Sequence, residues 1–172
     1  MSGPLGSSQW MYASGYEVGQ SLRLNDNADL TRTPGASNRR TYTLSAWIKR
    51  TGLMSASNCQ VSLLDVYVDT NNFTRIVIES DDQLQLLSRV GNQNKHFLKT
   101  SGKFRDPNAW YHIVVAIDTT DGTANDRGKI YINGVESTFE SRTNPDQYYE
   151  GHSNAAVLHD IGKSTDTALD GY

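Results

Sequence analysis

The sequence predicts an all-β sandwich. Three observations carry this reading. Helical periodicity is nearly absent from the 172 residues. Apolar and polar residues instead alternate in short runs, the period of a strand with two unlike faces. Turn-forming residues separate the runs at short intervals, as in a stack of antiparallel strands.

The clearest unit is WYHIVVAIDTTDGTANDRGKIYINGV, residues 110–135. Tyr111, Ile113, Val115 and Ile117 share one face, and Trp110, His112, Val114 and Ala116 share the other. Asp118 to Gly128 is rich in Asp, Thr, Gly and Asn and reads as a loop. Alternation resumes over Lys129–Ile132, with Ile130 and Ile132 inward. Asn133-Gly134 then signals a two-residue hairpin turn, because both positions need positive φ.

The remaining strands are read the same way. In order they are Tyr16–Leu24, Thr41–Arg50, Gln60–Val68, Phe73–Glu79, Gln83–Val90, His96–Thr100, Trp110–Asp118, Lys129–Ile132 and Val157–Gly162. Thr33-Pro34-Gly35, Thr70-Asn71-Asn72, Ser80-Asp81-Asp82, Gly91-Asn92 and Asp106-Pro107-Asn108 punctuate them with turn chemistry. Glu140–Asn154 is polar, holds Pro145 and Tyr148-Tyr149, and reads as an ordered surface loop.

Length suits one domain with a sizeable core. No repeat or linker divides it, so residues 16–172 are expected to form the domain and 1–15 an N-terminal extension. Residues 3–7, GPLGS, match the scar left by a common protease site. They follow Met1-Ser2, whereas a cleaved scar begins at its glycine, so we read them as native. Net charge is −3 and no basic run occurs, which gives no reason to expect a nucleic-acid partner. Arg39-Arg40 and Lys49-Arg50 read as solvated surface charge. The single cysteine, Cys59, makes an internal disulfide impossible and reads as a small buried hydrophobe near a strand start. No apolar run approaches the roughly 20 residues of a membrane span, so no membrane partner is expected. No signal-peptide pattern opens the sequence. A protein of this kind working outside a cell would leave by another route, such as release of virions by lysis.

Alternation also assigns faces. Tyr42, Leu44, Ala46 and Ile48 should face the core, leaving Thr43, Ser45, Trp47 and Lys49 outward. Leu64, Val66 and Val68 fit the core, leaving Leu63, Asp65 and Tyr67 outside; Ile76 and Ile78 fit it, leaving Arg75 and Glu79 outside. Trp110, His112 and Tyr131 join the outward set. Trp47, Tyr67, Trp110, His112 and Tyr131, with Lys49 and Asp65 as polar contacts, have the chemistry of a sugar platform. Aromatic rings stack on the C–H faces of pyranose rings, and polar groups bond the hydroxyls. The competing expectation is that loops such as Glu140–Asn154 cover Trp47 and Trp110 in a second, minor core.

A family resemblance rests on motifs in order. Ser21-Leu22-Arg23-Leu24 precedes a polar segment ending Leu30-Thr31-Arg32-Thr33-Pro34. Then come Thr43 to Arg50 (TLSAWIKR), Trp110 to Val114 (WYHIV), Lys129 to Val135 (KIYINGV), Ile161-Gly162, and Leu169-Asp170-Gly171-Tyr172. Together they resemble the laminin-G-like, concanavalin A-like lectin/glucanase domain, in wording similar to tail and virion proteins of marine bacteriophages. The resemblance implies a two-sheet antiparallel jelly-roll sandwich. It is weakly specific for function, since the fold hosts lectins, glycosidases and structural domains. Family members usually continue past Leu-Asp-Gly with an apolar strand. Here the sequence stops at Tyr172, which implies a truncated chain or a partner that supplies the strand by β-addition.

Glucanases of this fold resemble one another in a Glu-x-Asp-x-Glu or Glu-x-Asp-x-x-Glu strand, which this sequence lacks. Glu17, Glu79, Glu136, Glu140 and Glu150 stand alone at that spacing, and only Asp65 with Glu79 suggests a cross-strand pair. An enzyme is not expected. The resemblance raises calcium, and Asp118, Asp121, Asn125 and Asp126 offer oxygens, but their spacing matches no EF-hand loop and turn formation is the default. The four histidines show no zinc spacing. No metal or cofactor is therefore expected. The expected role is a non-catalytic carbohydrate-binding or adhesion module of a phage virion, extracellular, contacting host cell-surface polysaccharide. Other virion proteins and copies of the chain, including a strand-exchanging partner, are its expected assembly contacts. The alternative is a structural, assembly or capsid-decoration protein that keeps the fold without sugar binding.

Overall fold

The structure is a computed structural model and describes residues 21–24, 28–50 and 60–163. Among these, eleven strands form two antiparallel sheets and no α-helix occurs. The seven-stranded sheet runs β1 (Leu30–Arg32), β11 (His159–Ile161), β3 (Val61–Asp69), β4 (Asn72–Ile78), β5 (Gln83–Val90), β6 (Gln93–Lys103) and β10 (Phe139–Thr143). The four-stranded sheet runs β2 (Thr41–Ile48), β7 (Tyr111–Asp118), β8 (Gly128–Ile132) and β9 (Val135–Glu136). The fold is the all-β two-sheet sandwich that the alternation implies.

The core lies between the sheets. Leu64, Val66, Ile76, Ile78, Leu84, Leu86 and Leu98 from one sheet meet Ile113, Val115, Ile117 and Ile130 from the other, and Phe104 closes one end. Tyr42, Leu44 and Ile48 of β2 pack against this cluster, half-buried, at the predicted parity. Tight turns set the registers. Asn133 (φ 52°) and Gly134 (φ 82°) join Ile132 to its partner Val135. Gly91 (φ 58°) and Asn92 (φ 63°) do the same between Val90 and Gln93. Both are two-residue turns with two positive φ angles, which match the twist of the strands they join.

Three strands escape the sequence pattern. β1 is exposed at all three residues and β9 has two residues, so neither carries an apolar alternation. β10 takes the first residues of the segment read as a loop. Its polar run, Glu140 to Thr143, pairs with β6 through the backbone, which side-chain alternation does not report. The first expected strand, Tyr16–Leu24, lies mostly outside the described residues, and its described part, 21–24, is not strand. Cys59, residues 3–7 and the Leu169–Tyr172 motif also lie outside them.

Four side chains depart from their expected places. Val68 is 47 % exposed, because a register shift between Tyr67 and Asp69 breaks the alternation of β3. Arg50 is buried rather than solvated. Its guanidinium donates to Asp82 at 2.7 Å and to the Phe104 carbonyl, tying the end of β2 to the β4–β5 turn. Burial pushes the Asp82 carboxyl up, but Arg50 and Arg105 prevail and hold it below the usual carboxylate range. Asp65 and Arg75 point away from the core yet are buried, 3.9 Å apart, on a face where Phe73 and Val77 are also buried.

The segment after β10 seals the opposite end of the sandwich. Tyr148 N donates to the Thr119 carbonyl, and Thr119 Oγ1 donates to the Tyr149 carbonyl. Tyr149 Oη reaches Ser88 Oγ at 2.9 Å, which is 2.7 Å from Thr74 Oγ1. Close by, His96 of β6 is 2 % exposed beneath Gly128 of β8. A Cβ on Gly128 would sit 2.5 Å from His96 Nε2, so the absent side chain lets the sheets approach there.

Two outcomes follow from this contact. Gly128→Ala should destabilise the fold by about 1–3 kcal/mol through overpacking, read by urea unfolding. Burial, with a smaller push from Arg142, lowers the His96 pKa from its usual 6.5 to about 3. The folded state therefore holds His96 neutral, and the unfolded state takes up its proton first. The stability this contributes is complete above the unfolded pKa. It drains by about 1.4 kcal/mol per pH unit as pH falls toward the folded value. The difference in unfolding free energy between wild type and His96→Asn should shrink along that slope. A pH-independent difference would show that the imidazole is not buried neutral.

Candidate functional site

Since the odd positions of β7 from Tyr111 to Ile117 enter the core, its even positions must face out. The register with β2 then composes the outer face of the four-stranded sheet row by row. Trp47 stands beside His112, Ser45 beside Val114, Thr43 beside Ala116, and Thr41 beside Asp118. On the far side of β7, Tyr131 lies beside Val114 and Lys129 beside Ala116.

At one end of this face the Trp47 and His112 rings stack, with centroids 4.9 Å apart and planes 19° from parallel. Ser45 Oγ bonds His112 Nε2 at 3.0 Å. The backbone of His112 is pinned to the β8–β9 turn. Its N–H donates to Asn133 Oδ1 at 2.8 Å, and its carbonyl accepts from Asn133 N at 2.8 Å. Trp47 is 59 % exposed and Trp110, just before β7, is 49 % exposed. Tyr111, next in the chain, turns the other way and meets Phe104 edge-on at 4.9 Å. The segment Glu140–Asn154 does not cover the tryptophans. It contacts Thr119, beyond the opposite end of β7.

At the other end the face deepens into an open hollow of about 430 Å³, lined among others by Thr41, Thr43, Ala116, Asp118 and Lys129. Hydrogen bonds from Thr120, its side chain first and then its backbone N–H, hold the Asp118 carboxyl below the usual range. Lys129 Nζ pairs with Asp126 at 2.8 Å. Asp121 accepts from Thr123 N at 2.7 Å. These acids are engaged in shaping the loop. Among the described residues no group of three or more His, Cys, Asp or Glu is arranged to hold a metal ion. No described helix is long and apolar enough to cross a membrane.

The sequence-derived site residues divide between two surfaces. Trp47, His112 and Tyr131 lie in the four-stranded sheet, Trp110 directly precedes β7, and Lys49 is exposed one residue beyond β2. Asp65 and Tyr67 belong to β3 in the other sheet, so they do not join this platform. Alternation shows that a residue faces away from the core but not which sheet it faces away from. The suggested Asp65–Glu79 pair does not form either. Asp65 stands opposite Arg75 and Asp160, while Glu79 accepts from Gln60 and Gln85. The face also gains Val114, Ala116 and Lys129. Their parity was legible, but their place beside Ser45 and Thr43 needed the strand register.

A family model described as the concanavalin A-like lectin/glucanases superfamily (Laminin_G_3) matches residues 19–172. The chain belongs to this family. None of the curated proteins matches it. Among solved structures it is similar to a native heptameric SAP-like pentraxin from Limulus polyphemus, at 17% sequence identity and a TM-score of 0.48. That match covers 87% of this chain and 70% of the pentraxin chain. The laminin-G-like membership agrees with the two-sheet sandwich.

The stack itself is testable. A double-mutant cycle on Trp47→Ala and His112→Ala, read by urea unfolding, should return a coupling of about 0.5–1.5 kcal/mol. Additive effects would mean that the rings do not associate in solution.

Proposed function

We propose that this laminin-G-like domain is a non-catalytic carbohydrate-binding module that contacts host cell-surface polysaccharide from a phage virion, as part of a tail fibre or surface appendage. The observation that carries the binding reading is the exposed Trp47, braced by His112, with Ser45 and Thr43 further along the same outward face of β2. An exposed ring held in place on a sheet offers a flat apolar area to a ligand, and the apolar face of a sugar ring suits it. The virion setting draws on the order and wording of the motifs. A non-catalytic role draws on the lack of a paired-carboxylate strand, since retaining hydrolysis needs two carboxyls about 5 Å apart. Single sites of this type are weak, and many copies on one particle would raise avidity.

The second reading is a structural or assembly protein joined to its neighbours by strand addition. It draws on β2, which lies at the edge of the four-stranded sheet among the described residues, with Tyr42, Leu44 and Ile48 only partly buried.

The protein, presented multivalently on a broad glycan and bacterial-polysaccharide array, should give specific hits. Trp47→Ala or Trp110→Ala should weaken them by about thirtyfold or more, the loss of roughly 2 kcal/mol typical of a binding hot spot. Stability should fall only modestly, in Trp47→Ala by the about 0.5–1.5 kcal/mol of the lost stack, because both rings are about half-exposed. A blank array, or a large loss of stability in both variants, would favour the structural reading.

A further inference from the structure

We infer that the Asn133-Gly134 turn is a site of spontaneous covalent modification. Asn133 deamidates through a succinimide, and the isoaspartate product releases His112 from the turn and disables the Trp47–His112 stack. The inference is independent of what the stack binds.

The reaction needs an asparagine carboxamide and the backbone nitrogen of the next residue. Gly134 N attacks Asn133 Cγ. A bond forms between them, the Cγ–Nδ2 bond breaks, and ammonia leaves with the Gly134 amide proton. Water then opens the ring. Opening at Cγ gives aspartate. Opening at the Asn133 carbonyl carbon gives isoaspartate, whose main chain runs through Cβ and Cγ. A side chain on the attacking residue hinders its approach, and glycine has none. Asn133 is the one asparagine in the sequence that precedes a glycine.

The structure supplies access. Asn133 and Gly134 are both exposed, and nothing lies within 4 Å of where a Gly134 Cβ would stand. Beyond the turn, β9 has two residues and, among the described strands, pairs with β8 alone. Such a turn opens locally at little cost. Opening is needed, because in the closed turn Asn133 Oδ1 accepts from His112 N at 2.8 Å, which holds the carboxamide toward β7. The fold slows the reaction without preventing it.

The same hydrogen bond sets the consequence. In the native turn Cγ is a side-chain atom that carries Oδ1 to His112 N. In isoaspartate it becomes the main-chain link to Gly134. The turn gains a backbone methylene, so two residues of positive φ no longer join Ile132 to Val135 in register. His112 loses its anchor on that side, and the ring it presents to Trp47 loses its support. The aspartate product keeps the native main chain and an acceptor at Oδ1.

The test ages the whole chain at mildly alkaline pH, maps peptides by mass, and separates the isoaspartate and aspartate forms, which an isoaspartyl methyltransferase tells apart. In the native protein Asn133 should convert before any other asparagine, and more slowly than in the urea-unfolded chain. The isoaspartate form should lose the exchange protection of the His112 N–H and the ring-current shift that Trp47 gives the His112 ring. The aspartate form should keep both. Gly134→Asn should convert more slowly and keep the stack, since asparagine tolerates positive φ and its side chain has room. Earlier conversion of another asparagine would overturn the inference. So would an intact Asn133 after the unfolded chain has fully converted, an isoaspartate form in which His112 keeps either signal, or a Gly134→Asn variant that ages as fast as wild type.

Discussion

The burial of Ile113, Val115 and Ile117 is the constraint on which the rest of the molecule depends. These three side chains of β7 are at most 3 % exposed and meet the inner face of the seven-stranded sheet. A strand has only two faces, so committing one to the core commits the other to the surface. A slip of one residue would carry His112, Val114 and Ala116 into an apolar core. The exposed face is therefore held by the same free energy that holds the fold together. No separate device is required to present it.

The two ends of the sandwich are finished differently, and this decides what stays accessible. At one end, the segment after β10 crosses Thr119 and sends Tyr149 to the Thr74–Ser88 hydroxyls. At the other, Arg50 reaches the β4–β5 turn and Phe104 fills the gap, with Tyr111 against its edge. That second closure uses side chains directed inward. The tryptophans beside it stay about half-exposed, and the long polar segment does not reach them.

The outer face of the seven-stranded sheet behaves unlike that of its partner. Asp65, Arg75 and Asp160 are buried there, and the Arg75 guanidinium lies 4.1 Å from the centre of the Phe73 ring. A charge withdrawn from water needs a charge or a dipole in return, and Arg75 has the Asp65 carboxylate 3.9 Å away and the Phe73 ring beneath it. The face is thus packed rather than open. Its carboxylates, which resemble site residues in the sequence, belong to that packing.

Local periodicity by itself determined which residues turn inward on β2 and β7, the Asn133-Gly134 turn, and the outward placing of Trp47, Trp110, His112 and Tyr131. These are legible because a pleat of period two is written in neighbouring residues. The tertiary structure alone decided which outward residues share a surface. It set Asp65 and Tyr67 apart from Trp47, placed Ala116 between Thr43 and Lys129, and drew Arg50 inside. Strand pairing joins residues distant in sequence, and no local pattern encodes that register. The burial of a charge likewise depends on a partner such as Asp82, found only when the chain has folded around it.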